Sequence, residues 1–104
     1  MLPDKIQNMI VKLKERTENA DLQWQYSDDE NKVSVATENF IFTIKYQFNM
    51  DEEVGQFNIA YNNLAKRKEY YFSTNQNYED YELVRVLFDE AQSSEIDLDD
   101  LGLD

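Results

Sequence analysis

The sequence predicts an α+β fold: a two-layer sandwich with an N-terminal helix, a four- or five-stranded antiparallel meander and a C-terminal helix. Three observations predict it. Apolar residues recur at helical spacing near both ends of the chain, they alternate with polar residues between positions 22 and 73, and short turn-forming clusters separate the alternating segments. Each helix has one apolar stripe to bury and the sheet offers one apolar face, so we expect both helices on that face.

The first helix is predicted over residues 3–18. Pro3 suits a first helical turn, where no backbone N–H is needed. One face follows the i, i+3, i+4, i+7 spacing and consists of Leu2, Ile6, Met9, Ile10 and Leu13. We expect this face to be buried.

The period then changes to two, which is typical of half-buried strands. The predicted strands are centred on Leu22–Tyr26, Val33–Val35, Phe40–Phe48, Phe57–Tyr61 and residues 68–73. Turns are predicted at residues 27–31 and 49–55, with a bulge or tight turn at residues 37–39. Trp24 and Phe42 lie on the apolar faces of their segments, so we expect both to be buried.

The last helix is predicted to begin after Asn77, whose side chain would cap it, with Asp80 at the third position of a capping box. Its apolar stripe consists of Tyr81, Val84, Phe88 and Ala91, broadened by Leu83 and Leu87. We therefore predict one domain over residues 1–93. Residues 94–104 are predicted to be an acidic tail, or a short docking peptide that orders on a partner.

Composition removes most catalytic chemistries. The chain has no His and no Cys, so it offers no imidazole base, no thiolate and no zinc or iron–sulfur ligands. Among the acidic loops, residues 49–53 come nearest to a calcium loop, but Val54 stands where that loop needs glycine. We expect no enzymatic activity, no metal and no cofactor. No signal peptide or membrane-length apolar run is visible, so we expect a cytoplasmic protein.

The negative charge is concentrated near the end of the chain. The formal net charge is -12, and residues 79–104 contain ten acidic residues against one basic residue. Such a potential attracts basic surfaces and opposes binding to nucleic acid or to an anionic membrane. We therefore expect a basic protein surface as the partner, for example that of a nuclease or another nucleic-acid-binding protein.

The last helix contains the candidate contact site. Projected at 100° per residue, four acids lie opposite the core stripe with an apolar residue among them: Glu79, Glu82, Val86, Asp89 and Glu90. An apolar side chain ringed by acids is typical of a contact anchor with a charged rim. Two alternatives remain open: an ordinary solvated helix face with one stray valine, or a valine covered by Ile96 or Leu98 of the tail.

The order of elements, with Thr17, Leu22 and Trp24 spaced along the connection from the first helix to the first strand, resembles a group of small stand-alone bacterial and phage proteins of unassigned function. The resemblance covers the layout of residues 5–98 and implies no activity. In size and charge the chain is also similar in type to phage-encoded inhibitors and immunity proteins. We therefore predict a non-catalytic, acidic protein-binding module that occupies a basic, nucleic-acid-binding surface of its partner. The alternatives are an adaptor subunit that binds through its sheet edge or solvated sheet face, and a small-ligand or enzymatic domain with an aromatic-lined pocket.

Overall fold

Within residues 1–94, five antiparallel strands form one sheet in which spatial order follows chain order, and two helices cover one of its faces. The computed structural model describes residues 1–94. The elements are α1 (Asp4–Glu18), β1 (Trp24–Ser27), β2 (Lys32–Ala36), β3 (Phe40–Asn49), β4 (Val54–Asn63), β5 (Lys68–Asn75) and α2 (Asp80–Ser93). The predicted α+β fold is confirmed. The predicted tail, apart from Ser94, lies outside the described residues.

The sheet has five strands because the turn at residues 37–39 separates β2 from β3. The Thr37 hydroxyl accepts hydrogen bonds from the backbone N–H groups of Asn39 and Phe40, both at 3.2 Å. These bonds close the chain into a tight turn, after which Phe42 pairs with Val35. The possible bulge is therefore a hairpin turn.

Cross-strand register brings the apolar residues of the strands onto one face of the sheet. One row across it contains Trp24, Val35, Phe42, Tyr61 and Tyr70. Trp24 and Phe42 are buried, as predicted, and both belong to a core that both helices share with the sheet. The opposite face of the sheet is uncovered in the described part of the chain and mainly polar.

The two helices lie side by side and run in the same direction. Near their N-terminal ends, Leu2 and Asp80 are in contact, and near their C-terminal ends Glu18 interacts with Glu90. The Trp24 indole N–H donates to the Thr17 hydroxyl at 2.8 Å, which fixes the C-terminal end of α1 on the edge strand β1. The helix pair therefore crosses the strands from β5 to β1.

The start of α2 differs from the prediction. The helix begins at Asp80, and neither Asn77 nor the preceding Glu79 caps it with a side chain. The Asp80 carboxylate is buried and accepts the backbone N–H of Leu2 at 2.6 Å and the hydroxyl of Thr74. Asp80 is thus committed to a long-range contact that the local capping pattern did not indicate.

Gly55 allows two tyrosine hydroxyls to approach the backbone of β4. A Cβ atom at this position would lie 2.8 Å from the Tyr46 hydroxyl oxygen and 3.0 Å from the Tyr81 hydroxyl oxygen. Tyr46 and Tyr81 both pack on Phe57, with ring centroids 5.4 and 5.2 Å away. Because Gly55 has no side chain, α2 can pack closely against this end of the sheet.

Candidate interaction surface on helix α2

Helix α2 has a buried stripe and an opposite face that carries most of the predicted site. Val84, Leu87, Phe88 and Ala91 are buried in the core. Of the predicted site residues, Glu79, Glu82 and Asp89 are exposed, whereas Val86 and Glu90 are half-buried. The outer face of α2, meaning Glu79, Glu82, Arg85, Val86 and Asp89, is the candidate interaction surface.

Arg85 links two of the predicted acids. Its Nε donates to both carboxylate oxygens of Glu82 at 3.0 Å, and its Nη1 donates to Asp89 at 2.8 Å. The hydrogen bonds between Arg85 and Glu82 lower the pKa of Glu82 and raise that of Arg85. The guanidinium therefore orders two carboxylates one turn to either side of it and offsets part of their charge.

The helical projection did not include Arg85, although its spacing from two of the acids indicated the contact. Glu82 and Asp89 stand three residues before and four residues after it, and those spacings bring side chains together on a helix surface. The charge of the candidate surface is consequently less negative than the five predicted residues alone imply.

Glu90 is half-buried, unlike the exposed predicted acids Glu79, Glu82 and Asp89. It lies near Glu18 and Lys14 of α1, and one of its carboxylate oxygens is buried and has no hydrogen-bond partner among residues 1–94. Burial, followed by the charge of Glu18, raises the pKa of Glu90. A hydrogen bond and ion pair with Lys14, whose Nζ is 2.8 Å from the Glu18 carboxylate, lowers the pKa of Glu18. Packing of α1 against α2 thus draws Glu90 away from solvent.

An exposed valine of α1 lies at the level of Val86 along the helix pair. Val11 of α1 is 42% exposed. The helices are parallel and Lys14 of α1 lies near Glu90 of α2. Val11 and Val86 each lie about one turn before these residues, so they are at the same level along the helix pair. Sequence reasoning missed Val11, whose signal was an apolar residue outside the core stripe of α1. The predicted covering residues Ile96 and Leu98 lie outside the described residues.

Within residues 1–94, no group of three or more acidic side chains lies together where it could hold a metal ion. The space between helices and sheet is filled by packed aromatic side chains such as Phe42, Phe57 and Phe88. A groove of about 560 Å³ crosses the uncovered face of the sheet, with Lys32, Lys45 and Tyr71 along its sides.

Comparisons with protein-family models, with curated proteins and with solved structures found no match to this chain. None of the helices within residues 1–94 is long and apolar enough to span a membrane.

Proposed function

We propose that this protein is a non-catalytic, acidic protein-binding module whose outer α2 face binds a basic surface of a partner protein. The observation that carries the proposal is the ordered pair of exposed carboxylates, Glu82 and Asp89, held by Arg85 beside a half-buried Val86. The pair supplies charge at a defined spacing, and the valine supplies an apolar centre.

Order in the free protein favours affinity because binding then restricts fewer side-chain rotations. Immobilising one flexible side chain at an interface costs about 0.5–1.5 kcal/mol. Arg85 already restrains both carboxylates, and each still has lone pairs that face solvent and can accept hydrogen bonds from a lysine or arginine. Val11, at the level of Val86 on α1, is a further exposed apolar residue.

The net charge of the molecule determines what kind of partner fits. The net charge of -12 favours fast encounter with a basic surface and disfavours direct binding of a polyanion. A basic surface that normally holds nucleic acid is the partner that best matches this potential, which makes an inhibitor or immunity protein the preferred role. The adaptor role is favoured instead by the exposed strand at the sheet edge.

The test is a binding titration with a partner obtained by pull-down. The double variant Glu82→Lys and Asp89→Lys should weaken binding at least tenfold, about 1.4 kcal/mol. Val86→Asp should do the same, because it places a charge in the apolar centre. The matched control is Asp21→Lys with Glu38→Lys, which changes net charge equally through exposed loop residues between α1 and β1 and between β2 and β3. Equal losses in the helix and loop variants would refute a localised site in favour of diffuse charge.

The salt dependence of binding distinguishes an inhibitor or immunity protein from an adaptor. Binding through the acidic helix should weaken steadily as salt rises, because the contact is electrostatic and partly exposed. An adaptor held by strand pairing or apolar contact should be far less sensitive. A partner whose affinity is unchanged by both salt and the α2 variants would exclude the proposed function and favour the adaptor.

A further inference from the structure

We propose that β5 forms the two-fold interface of a homodimer, in which the β5 strands of two copies pair antiparallel and join two sheets into one. The strand lies at the edge of the sheet and runs for eight residues. It pairs with β4 through eight consecutive residue pairs, so its outer edge is long and regular. Such an edge is a template for another strand.

The register identifies the backbone groups that face outward. The Gln76 N–H donates to the Gly55 carbonyl at 3.2 Å, which extends the ladder from β5 to β4. Antiparallel partners alternate between hydrogen-bonded and non-hydrogen-bonded pairs, so the even-numbered residues of β5 face β4. The N–H and C=O groups of Glu69, Tyr71 and Ser73 therefore point away from the sheet.

These three residues can pair with their own copies. In an antiparallel arrangement centred on Tyr71, Tyr71 faces its partner copy and Glu69 faces Ser73. Tyr71 is 71% exposed, so its ring is available for a cross-strand aromatic contact at the two-fold axis. Every outward-facing group of the three residues then has a partner.

Charge complementarity selects a second copy as the occupant. Lys66, Arg67 and Lys68 precede or begin β5, whereas Glu79 follows its other end and the acidic loop 51–53 lies beside Gly55 and Gln76. Antiparallel pairing places the basic end of each copy against the acidic end of the other. Parallel pairing would place like charges together.

The remainder of the chain starts on the other side of the molecule. Ser94 lies beside β1, in a groove that also contains Ala20, Leu22 and Trp24. Strand β1 is the opposite edge of the sheet. The outer edge of β5 is therefore remote from the point at which α2 ends. Apart from Glu79, the proposed dimer uses none of the residues of the outer face of α2.

The first experiment uses the full chain and measures mass by light scattering and sedimentation at micromolar to submillimolar concentration. Salt is kept near 0.15 M, where the Debye length is about 8 Å and long-range repulsion is screened. The wild type should show a concentration-dependent dimer. Ser73→Pro removes an outward N–H that β4 does not use, so it should weaken the dimer at least tenfold, whereas Ser73→Ala should not. A monomer at every concentration, or a dimer indifferent to Ser73→Pro, would overturn the proposal.

A charge-swap experiment tests the antiparallel geometry without altering the strand. Lys66→Glu with Lys68→Glu makes both ends acidic, and Asp51→Lys with Glu52→Lys makes both ends more basic. Each double variant alone should dimerise at least tenfold more weakly, and their equimolar mixture should recover a heterodimer. Diffuse charge predicts instead that the second variant, with its lower net negative charge, dimerises better than the wild type. That result, or no recovery on mixing, would contradict the two-fold β5 interface even if Ser73→Pro failed to fold.

Discussion

The buried carboxylate of Asp80 ties the N-terminal segment, β5 and α2 together, so its removal should be among the most costly single changes. Asp80 is 6% exposed and Thr74 is 2% exposed. Asp80→Ala would leave two donors without their partner: the Leu2 backbone N–H and the Thr74 hydroxyl. An unsatisfied buried donor costs about 1–3 kcal/mol, so the expected loss for the two donors is about 2–6 kcal/mol.

That loss is large relative to a typical total stability of about 5–15 kcal/mol. Urea unfolding monitored by Trp24 fluorescence should show it as a lower midpoint with an unchanged slope. Thr74→Val should cost less, about 1–2 kcal/mol, because Asp80 then keeps its bond to Leu2. The double variant should lose less than the sum of the two, because both changes break the same hydrogen bond.

Asp89→Ala is the matched control, since Asp89 is an exposed aspartate on the same helix. Its effect should stay within about 0.5 kcal/mol, the usual range for surface changes. If Asp80→Ala lowered the free energy of unfolding by less than about 1 kcal/mol, or no more than Asp89→Ala, the contact would contribute little and the reasoning would be wrong.

Three further predictions concern stability. Glu90→Gln should raise the free energy of unfolding at neutral pH by about 0.5–1 kcal/mol, because it removes a half-buried charge next to Glu18. The pKa of Glu90 is raised in the folded state, so the stability advantage of Glu90→Gln should shrink as pH falls from neutral through that pKa. Urea unfolding of both proteins at several pH values measures this advantage. An advantage that stays constant with pH would contradict the raised pKa of Glu90. Phe42→Ala should cost about 3–5 kcal/mol by cavity formation, and unchanged thermal melting would mean that the strand register is wrong. Gly55→Ala should cost about 1–2 kcal/mol through crowding by the two tyrosine hydroxyls, and Tyr46→Phe should recover part of that loss in the double variant; no recovery would place the cost elsewhere.

The candidate site was predictable where it depended on α2 alone. Glu79, Glu82 and Asp89 face solvent because their angular positions on the helix are opposite the buried stripe, and helical periodicity contains that information. The Arg85 contacts were also local and were available from spacing. Glu90 differed because its burial comes from α1, whose Glu18 lies 72 positions earlier in the chain.

The class of fold, the order of its elements and the burial of Trp24 and Phe42 could be predicted from the sequence, because residue period and turn chemistry are local properties. Tertiary structure decided the buried role of Asp80, whose partner Leu2 is 78 residues away. It also decided which backbone groups of β5 face outward. Both features depend on which distant elements meet. No single segment contains the information that buries a polar group or that decides which backbone groups of an edge strand point away from the sheet.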